Sequence, residues 1–474
     1  MRFLHLVFSL ALLAVVRAVS TSGNRLLVVL EELGDKSVYS KFWADLEGRG
    51  YKLTFESPKN EKLALFEHGA RAYDHVILLP PKSKAFGPSL TPVQLLQFIK
   101  ADGNVLLTLS GASPTPSAIA SLLLELDISL APDRSSVVVD HFNYDTISAS
   151  EKHDVLLLSP PGAIRPDVSN FFGGSGKEGE VLAFPRGVGQ ALGNGNPLLT
   201  PVLRAPETAY PYNPKEESAS VEDPFATGEQ LSLVTAMQAR NSARFTVLGS
   251  VEALADQWST AKVKGPGKGA KTQQTANREF AKALSAWTFK EIGVLKVGQV
   301  EHYLDEASTT GSSNATSTEI VTRNPQIYRV KNQVTFTIEL SEYSYTHYTP
   351  YTAPAEDAVQ LEFSMLSPFH RLPLTPLRQT ANSSLYTASF SLPDQHGMFT
   401  FRVNYKRPFL SAVDEKRTVT VRHFAHDEWP RSWEISGAWV WIAGIATTIA
   451  GWLAFVALWL YSQPVRNTPG KKTL

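Results

Sequence analysis

The sequence predicts an α/β domain built on a parallel sheet, followed by a β-sandwich domain and one C-terminal transmembrane helix. From residue 24 to about residue 250, continuous apolar runs alternate with amphipathic stretches, which is typical of a parallel sheet covered by helices on both faces. From about residue 297 the helical spacing ends and short strands of alternating polarity follow. Residues 437–461 then form an apolar run without a charged side chain.

Composition excludes several classes of function. The 474 residues include 45 basic and 45 acidic side chains, so the chain offers no overall positive field for nucleic acid. Cysteine is absent, which excludes disulfide bonds, thiolate nucleophiles and cysteine-ligated zinc. The length predicts two or three domains, which must be held together by packing and hydrogen bonds.

The amino terminus has the layout of a secretory signal peptide. Arg2 precedes an apolar stretch, residues 3–16, and Val16-Arg17-Ala18 follows with the small residues of a cleavage site. We therefore predict a signal peptide at residues 1–18, cleaved after Ala18. A membrane anchor is the alternative, and it is less favoured because the run is shorter than the roughly 20 residues that a span needs.

Residues 19–250 are predicted to form the α/β domain. Its first strand is RLLVVLEE, and KSVYSKFWADLEGRG follows with apolar residues at helical spacing. Another helix is expected after Thr91, which can cap it, with Pro92 at the first helical position. Further strands of the parallel sheet are expected at HVILLPP, NVLLTLSG, SSVVVDHF, DVLLLSPP and RFTVLGS. Residues 173–228 are rich in glycine, proline and turn formers, which predicts a long excursion from the sheet.

A helical connector is predicted at residues 251–296, and it leads into the second domain. The connector contains a basic loop, KVKGPGKGAK, for which a solvated loop is favoured over a surface that binds lipid or acidic groups. Residues 297–425 contain alternating strands bounded by proline, asparagine, aspartate and glycine, which favours an antiparallel sandwich of immunoglobulin-like form. Residues 426–436 are predicted to be a juxtamembrane linker.

The apolar run at residues 437–461 is long enough to cross a bilayer. At about 1.5 Å per residue it spans roughly 37 Å, more than the roughly 30 Å of a hydrocarbon core. The tail at residues 462–474 carries Arg466, Lys471 and Lys472 and no acidic residue. Basic residues favour the cytosolic side, so we predict a cytosolic tail and a non-cytosolic location for residues 19–436. A buried helix of a soluble protein is the less favoured alternative.

Short motifs on both sides of this span indicate the compartment. Lys471 and Lys472 stand four and three residues from the carboxyl end, the arrangement of a dilysine retrieval signal, although two lysines also satisfy the charge rule alone. Two glycosylation sequons, at Asn314 and Asn382, lie on the predicted lumenal side. Together these motifs predict a single-pass protein of the endoplasmic reticulum membrane.

Small residues recur along the predicted span. Such residues let helices approach closely, so they favour packing against other membrane helices. Glycine is common in spans generally, which is the alternative explanation. The glycines recur every seven residues and the alanines every four, at Gly437, Gly444, Gly451, Ala446, Ala450 and Ala454.

Catalytic motifs are weak. GVGQALG at residues 187–193 has the spacing of a dinucleotide loop only in part and is interpreted as a plain loop. Ser110 follows a strand, but Thr108 and Ala112 replace the glycines of a nucleophile elbow. His141 and Asp145 could face Ser110 across a sheet edge, yet capping and turn formation explain them better. The polar group formed by His423, His426, Asp427 and Glu428 is interpreted as a linker rather than a metal site.

Several long motifs, in order, resemble the DDOST family, a membrane subunit of oligosaccharyltransferase in the endoplasmic reticulum. The resemblance extends from about residue 24 to residue 461. The motifs are LEGRGYKLTF, YDHVILLPP, VVVDHFNYD, FPRGVGQALGNGNPL, LVTAMQARNSARFTVLGS, WTFKEIGVLKVGQV, VQLEFSMLSPF and LPDQHGMFTFRVNY.

This resemblance implies an α/β domain of the class I amidotransferase-like, flavodoxin-like type without a catalytic cysteine. It implies a non-catalytic role in transferring a preassembled glycan from dolichyl diphosphate to asparagine in Asn-X-Ser/Thr. The expected partners are the polytopic catalytic subunit, ribophorin-like subunits and membrane lipid, with no nucleic acid, cofactor or metal. The stretch from Asp140 to Asp145 belongs to a family motif whose role the sequence leaves open.

Two other functions remain as alternatives. A membrane-tethered lumenal serine hydrolase would use Ser110 with His141. An endoplasmic reticulum cargo adaptor would depend on Lys471 and Lys472 to cycle between compartments.

Overall fold

The computed structural model describes most of the chain. The ranges are 20–60, 62–81, 86–87, 90–166, 168–173, 180–213, 224–267, 271–305, 322–428 and 438–462. The signal peptide, Asn314, Gly437, Lys471 and Lys472 lie outside these residues.

The amino-terminal half is a mixed α/β unit. Its strands are β1 (Arg25–Val29), β2 (Lys52–Glu56), β3 (Phe66–Glu67), β4 (Ala70–Arg71), β5 (His75–Leu78), β6 (Asn104–Thr108), β7 (Ile128–Leu130), β8 (Val137–Val139), β9 (Val155–Leu158), β10 (Leu182–Pro185), β11 (Gln190–Leu192), β12 (Leu199–Arg204), β13 (Tyr210–Tyr212), β14 (Leu231–Gln238), β15 (Arg244–Leu248), β16 (Lys262–Val263) and β17 (Gln273–Gln274). Its helices are α1 (Ser40–Gly48), α2 (Pro92–Lys100), α3 (Ser117–Glu125) and α4 (Asn277–Thr288).

The main sheet has nine strands, in the order β2-β1-β5-β6-β15-β14-β11-β7, and β12 also pairs with β14. The pairs from β2 to β15 are parallel, as the sequence predicts. The other pairs are antiparallel. The sheet is therefore mixed rather than wholly parallel, because only five residues join β14 to β15 and so short a turn reverses the chain.

Two of the predicted strands lie outside the main sheet. β8 pairs with β13 and β9 pairs with β10, each pair forming a two-stranded antiparallel sheet. The predicted excursion at residues 173–228 supplies β10 to β13, and β11 and β12 join the main sheet. Part of residues 173–228 therefore belongs to the main sheet rather than to an excursion from it, because strand partners distant in sequence override the local abundance of turn residues.

Helices and side chains cover both faces of the main sheet. Alternate residues of β1 enter different clusters, with Leu26 and Val28 in one and Leu27 and Val29 in the other. All four are fully buried, which explains the continuous apolar run in their strand. The predicted cap of α2 is present, since Thr91 Oγ1 accepts a hydrogen bond from the Gln94 amide at 3.3 Å.

The described carboxyl-terminal half contains two five-stranded sheets. The strands are β18 (Val294–Leu304), β19 (Ile327–Arg329), β20 (Gln333–Ser344), β21 (His347–Pro350), β22 (Gln360–Ser364), β23 (Pro368–Pro373), β24 (Thr375–Gln379), β25 (Ser384–Ser391), β26 (Gly397–Tyr405) and β27 (Val413–Arg422). One sheet has the order β18-β20-β25-β24 with β21 on β20, and the other has the order β19-β27-β26-β22-β23. Both contribute to one hydrophobic cluster, in which Phe336 and Phe401 stack with ring centroids 5.5 Å apart.

A final helix, α5 (Ala438–Tyr461), has the length and composition of a membrane span, with a mean hydropathy of 1.9. None of it is buried against the rest of the described chain. Its apolar side chains therefore require lipid or the helices of other proteins as their surroundings.

Candidate functional site

Ser110, the candidate nucleophile, is buried directly after β6. Its Oγ accepts a hydrogen bond from the Ala112 amide at 3.1 Å, and the residue is only 7% exposed. Among the described residues it makes no hydrogen bond with His141 or Asp145. Its environment is that of a turn former rather than an activated hydroxyl.

The two aspartates of the VVVDHFNYD motif are structural. Asp140 is fully buried and accepts hydrogen bonds from the Phe142 amide (2.7 Å), from Asn143 Nδ2 (3.0 Å) and from Thr208 Oγ1 (2.8 Å). Burial alone raises the pKa of Asp140, but these hydrogen bonds outweigh it and hold the pKa below its usual value. This carboxylate therefore fixes the turn after β8 against the segment that leads to β13.

Asp145 connects the same motif to the start of the basic loop. Its carboxylate accepts hydrogen bonds from the Ser148 amide (3.0 Å), Ser148 Oγ (2.5 Å) and the Lys264 amide (2.8 Å). Thr146 adds a bond to the Lys264 carbonyl at 2.9 Å. Lys264 is therefore held by the motif, and the neighbouring Lys262–Val263 form β16, which corrects the prediction of a loop throughout.

His141 lies on the exposed side of the motif. Its Nδ1 is 2.5 Å from Nδ1 of His153, and its Nε2 is 2.9 Å from the Tyr210 hydroxyl. The His153 ring stacks on Tyr144 with centroids 3.8 Å apart. Since His141 is engaged here and Asp145 acts as a cap, the residues of the hydrolase alternative do not form a triad.

The remaining candidate motifs also have structural explanations. A Cβ at Gly187 would come within 2.6 Å of the Phe184 ring, and one at Gly189 within 2.9 Å of Leu231, so these glycines allow close packing. Within the described ranges, no group of three histidine or acidic side chains could hold a metal. Glu428 instead pairs with both terminal nitrogens of Arg422 at 2.7 Å.

The strongest polar feature joins the two halves of the chain, and sequence reasoning missed it. Arg244, at the start of β15, is fully buried. Its guanidinium donates to the carbonyl oxygens of Trp287 (2.5 Å), Ile292 (2.7 Å) and Gly293 (2.6 Å), and to that of Phe409 at 3.4 Å. The available signal was an arginine at the head of the otherwise apolar run RFTVL, since a buried charge requires several partners.

Aromatic packing reinforces this connection. Trp287 Nε1 donates to the Phe409 carbonyl at 2.8 Å, and the two rings meet edge to face with centroids 5.5 Å apart. Phe409 has a φ of +66°, a conformation that costs a bulky residue about 1–3 kcal/mol and persists only where surrounding contacts hold it. We call Arg244, Trp287 and Phe409 the interdomain clamp, because they fix the loop after β26 to the α/β unit.

A second buried ionic group was also missed. The Glu291 carboxylate has no exposure, and its Oε1 accepts from Arg49 Nη1 at 2.6 Å and from the Tyr51 hydroxyl at 2.8 Å. Burial, followed by the charge of Glu291, raises the pKa of Tyr51. The group ties the end of α1 to the segment after α4, next to the interdomain clamp.

Asn382 is exposed in the turn between β24 and β25, whereas Ser384, the hydroxyl residue of its sequon, is fully buried at the start of β25. The side chain of the intervening Ser383 is bonded to Thr380 and Glu339. Solvent therefore reaches Asn382 of this sequon but does not reach its hydroxyl residue, Ser384.

The glycines of α5 leave open space at its surface. A Cβ added at Gly444 or Gly451 would meet no atom of the described residues within 4 Å, apart from the backbone of the helix itself. At 3.6 residues per turn, the glycines and the alanines Ala446, Ala450 and Ala454 lie on two faces of the helix whose centres are about 120° apart. The helix therefore presents two separate surfaces on which another helix could pack closely.

The described residues define a class of protein: a two-unit body with a candidate membrane-spanning helix and without an assembled catalytic constellation in those residues. Comparison with known proteins gives the family. The family model for the OST48 N-terminal domain matches residues 17–291, and that for the OST48 middle domain matches residues 313–463. The chain belongs to the OST48 family, which confirms the resemblance seen in its motifs.

Named relatives agree along nearly the whole chain. The chain is 34% identical to the dolichyl-diphosphooligosaccharide–protein glycosyltransferase subunit wbp1 of Schizosaccharomyces pombe, over 90% of each chain. It is 31% identical to the 48 kDa subunit of the same enzyme from Arabidopsis thaliana, over 93% of this chain and 94% of that one. It is 30% identical to WBP1 of Saccharomyces cerevisiae, over 98% and 96%.

Proposed function

We propose that this chain is a non-catalytic subunit of oligosaccharyltransferase. It supports transfer of a preassembled glycan from dolichyl diphosphate to asparagine in Asn-X-Ser/Thr of nascent proteins. The observation that carries the proposal is the match to OST48 family models across both units. The structural roles of Ser110, Asp140 and Asp145 agree with catalysis by a different subunit.

The proposed location is the endoplasmic reticulum membrane, as a single-pass protein anchored by α5. The basic tail supports a cytosolic carboxyl terminus, and the two sequons support a lumenal location for both units. Lys471 and Lys472 then form a retrieval signal that a receptor reads. The proposal includes a signal peptide at residues 1–18 that is cleaved after Ala18.

The proposed partners are the polytopic catalytic subunit, ribophorin-like subunits and membrane lipid. The glycine face and the alanine face of α5 support packing between two neighbouring membrane helices. In this arrangement the interdomain clamp keeps the two lumenal units in one orientation, so that partners bound to the two units keep a fixed position relative to each other.

We further infer that the α/β unit, residues 19–250, is of amidotransferase-like or flavodoxin-like type and that residues 297–425 form a β-sandwich. The parallel strands β2 to β15 support the first assignment, and the shared core of the two five-stranded sheets supports the second. Residues 251–296 would connect these domains, and residues 426–436 would link the second to the membrane.

Affinity isolation of the full-length chain from its native cells in mild detergent tests the function. We expect co-isolation of a polytopic glycosyltransferase subunit, together with transfer of glycan from a dolichyl diphosphate donor to a sequon peptide. Depletion of the chain should lower glycosylation of a secreted reporter. Recovery of the chain alone, with reporter glycosylation unchanged after depletion, would contradict the proposal.

The hydrolase and adaptor alternatives make different predictions. Ser110→Ala should leave reporter glycosylation unchanged, whereas a hydrolase that used Ser110 would lose its activity. Replacing Lys471 and Lys472 with serine should leave the assembled complex able to transfer glycan, whereas an adaptor would stop transporting its cargo.

A further inference from the structure

The sheet β19-β27-β26-β22-β23 of the second unit has two ends with different surroundings. β27 begins at Val413, shortly after Phe409 of the interdomain clamp, and ends at Arg422. A strand of this length covers about 30 Å, so Arg422 lies at the end of the sheet that is remote from the α/β unit. We call this end of the sheet the distal end.

The connection to α5 leaves from the distal end. Glu428 is held there, since its carboxylate accepts hydrogen bonds from both terminal nitrogens of Arg422 at 2.7 Å. Residues 429–437 then join Glu428 to Ala438, where α5 begins. A connection of this length extends to roughly 35 Å at most. With α5 spanning a bilayer, the distal end is therefore the part of the second unit that is tied most closely to the membrane surface.

Apolar side chains form a row across the exposed face of the sheet at the distal end. Thr420 of β27 pairs with Met398 of β26 on one side and with Ile327 of β19 on the other, and residues directly opposite each other share a face of a sheet. The register between β22 and β26, continued two residues past the end of β22, brings Leu366 level with Met398. We call Ile327, Met398 and Leu366 the apolar row, which is about 14 Å wide at the usual spacing of strands.

The apolar row is confined to one level of the sheet. Leu366 is 99% exposed, Met398 67% and Ile327 60%. Polar residues occupy the next positions on the same face, away from the distal end. These residues are Thr400, Arg402, Lys416 and Thr418. Single exposed apolar residues need no explanation, but a group of them at one end of a polar face indicates a contact surface.

The surroundings of the row favour lipid as that contact. Cations at the distal end have acidic partners, since Glu428 pairs with Arg422 and lies 3.8 Å from Arg329, and Lys331 lies 3.1 Å from Asp394. Apolar contact rather than charge must therefore supply the attraction. Leu366 stands in the hairpin between β22 and β23, and a protruding apolar side chain enters a fluid layer without requiring a pocket of matching shape.

We propose that the apolar row inserts into the interfacial layer of the bilayer that α5 spans. Leu366 and Met398 enter the boundary between lipid headgroups and acyl chains, roughly 5–10 Å deep, while Thr400 and the other polar residues of the same face stay in water. This second attachment fixes the orientation of the second unit on the membrane and, through the interdomain clamp, that of the α/β unit. The inference deepens the proposed membrane location and rests on it.

The test uses the absence of cysteine from the chain, because one introduced cysteine can then carry a nitrobenzoxadiazole dye at a chosen position. Ser367→Cys places the dye next to Leu366 and leaves the apolar row intact. The full-length chain is reconstituted alone into phosphatidylcholine nanodiscs, in which both membrane faces are open to water. Quenching by iodide in water and by nitroxides on the lipid acyl chains then locates the dye.

Two control positions mark the water and the bilayer centre. Thr346→Cys lies in the exposed turn between β20 and β21, at the opposite end of the second unit, where the Tyr345 amide donates to the Glu291 carbonyl. Ile449→Cys lies in the middle of α5.

We expect iodide quenching of the dye at Ser367→Cys to be about threefold or more weaker than at Thr346→Cys. A nitroxide near the headgroup should quench it more than one deep in the acyl chain, with the reverse order at Ile449→Cys. Free access of iodide at Ser367→Cys, with lipid quenching only at Ile449→Cys, would overturn the inference and leave the membrane location intact. Absence of lipid quenching at both positions would contradict the location as well.

Variants assign the protection to the apolar row. Leu366→Glu/Met398→Glu should bring iodide quenching of the dye at Ser367→Cys to within about twofold of that at Thr346→Cys. The matched control Leu124→Glu/Leu377→Glu makes the same change at positions on α3 and β24 that are 66% and 61% exposed, and it should leave the dye protected. Thermal unfolding curves check that both double variants remain folded. Equal effects of the two on quenching would overturn the inference.

The same label distinguishes lipid from a protein partner. Protection at Ser367→Cys in nanodiscs that contain the purified chain alone assigns the apolar row to lipid. Protection that appears only when the labelled chain is isolated together with its partners would assign the row to a neighbouring protein and overturn the lipid contact.

Discussion

Arg244 places its guanidinium over the indole ring of Trp287, 4.7 Å from the ring centroid, while it donates to the carbonyl oxygen of the same residue. Burial lowers the pKa of Arg244 to about 9, so the group stays charged at neutral pH. A buried charge needs hydrogen-bond partners. The two terminal nitrogens of Arg244 donate to carbonyl oxygens of Trp287 in α4, of Ile292 and Gly293 after α4, and of Phe409 in the second unit, whereas Nε has no partner among the described residues. The contact between the two units therefore depends on directional hydrogen bonds as well as on apolar packing.

Arg244→Met should destabilise the chain strongly. The substitution keeps an unbranched apolar stem but leaves the carbonyl oxygens of Trp287, Ile292 and Gly293 without their donor, so we expect a loss of about 3–5 kcal/mol in the free energy of unfolding. Urea unfolding of the full chain in detergent measures it. Arg240→Met, an exposed position on the preceding turn, is the control and should change stability by no more than about 0.5 kcal/mol. Similar values for both variants would contradict the role of the clamp.

Because the carboxylate of Glu291 is buried, substitutions at Arg49 and Glu291 should have non-additive effects on the free energy of unfolding. Arg49→Met removes the cation and leaves Glu291 charged in a site without exposure, so it should cost about 3–5 kcal/mol. Adding Glu291→Gln removes that charge, and the double variant should be more stable than Arg49→Met alone. Additive losses in a double-mutant cycle would show that Arg49 and Glu291 are not coupled.

The fold shows which structural features can be predicted from residues that are neighbours in the sequence. The capping of α2 by Thr91 and Pro92 was predicted, because a helix start depends on residues within one turn. The positions of β8 and β9 outside the main sheet were not, because local polarity does not identify a strand's partner. The clamp was missed for the same reason: Arg244 and Phe409 are 165 residues apart.

For the candidate site residues, the sequence indicated that the side chains have structural roles, but it did not indicate which residues they contact. Ser110, His141 and Asp145 were interpreted as residues with structural roles, since the missing glycines around Ser110 are a local signal, and the contacts of all three agree with that interpretation. The hydrogen bond from the Lys264 amide to Asp145, and that between His141 and Tyr210, join segments that only the folded chain brings together. No sequence pattern specifies such contacts.

Stability should fall on acidification because of His75. Nε2 of His75 lies 3.0 Å from the Gly23 carbonyl, and Nδ1 lies 3.2 Å from Asn104 Nδ2, so the neutral ring satisfies both contacts. Burial lowers the pKa of His75 from 6.5 to about 4. Between these pH values the unfolded chain binds the additional proton, and the free energy of unfolding therefore decreases as pH falls through this window.

The His75→Gln variant tests this pH dependence. Its unfolding free energy, measured by urea denaturation at several pH values from neutral to about 4, should vary less steeply than that of the unchanged chain. Some slope should remain from His302, whose pKa is also lowered to about 4 by burial and by Arg417. Parallel pH profiles for the two chains would contradict the assignment to His75.

Asn382 should receive its glycan before the second unit folds. Asn382 is exposed, but the hydroxyl residue of its sequon, Ser384, is fully buried and is paired in β25. Asn382→Gln and Ser384→Ala should each remove one glycosidase-sensitive shift on a gel when the chain is made in the presence of microsomes. Folded, unglycosylated chain offered to oligosaccharyltransferase afterwards should stay unmodified at this position, and efficient modification then would contradict the order of events.

The two small-residue faces of α5 should each be needed for assembly. Gly444→Leu fills the glycine face and Ala450→Leu fills the alanine face, and each should prevent close approach of a neighbouring helix because membrane helices associate through packing rather than through hydrophobic burial. Val456→Phe adds bulk on the remaining side of the helix, about 120° from each of the two faces, and serves as the control. Co-isolation of tagged chain with the catalytic subunit should fall severalfold for the first two variants and remain unchanged for the control. If only one of these two variants loses co-isolation, α5 packs against one neighbouring helix rather than two. If neither variant loses it, α5 is surrounded by lipid alone.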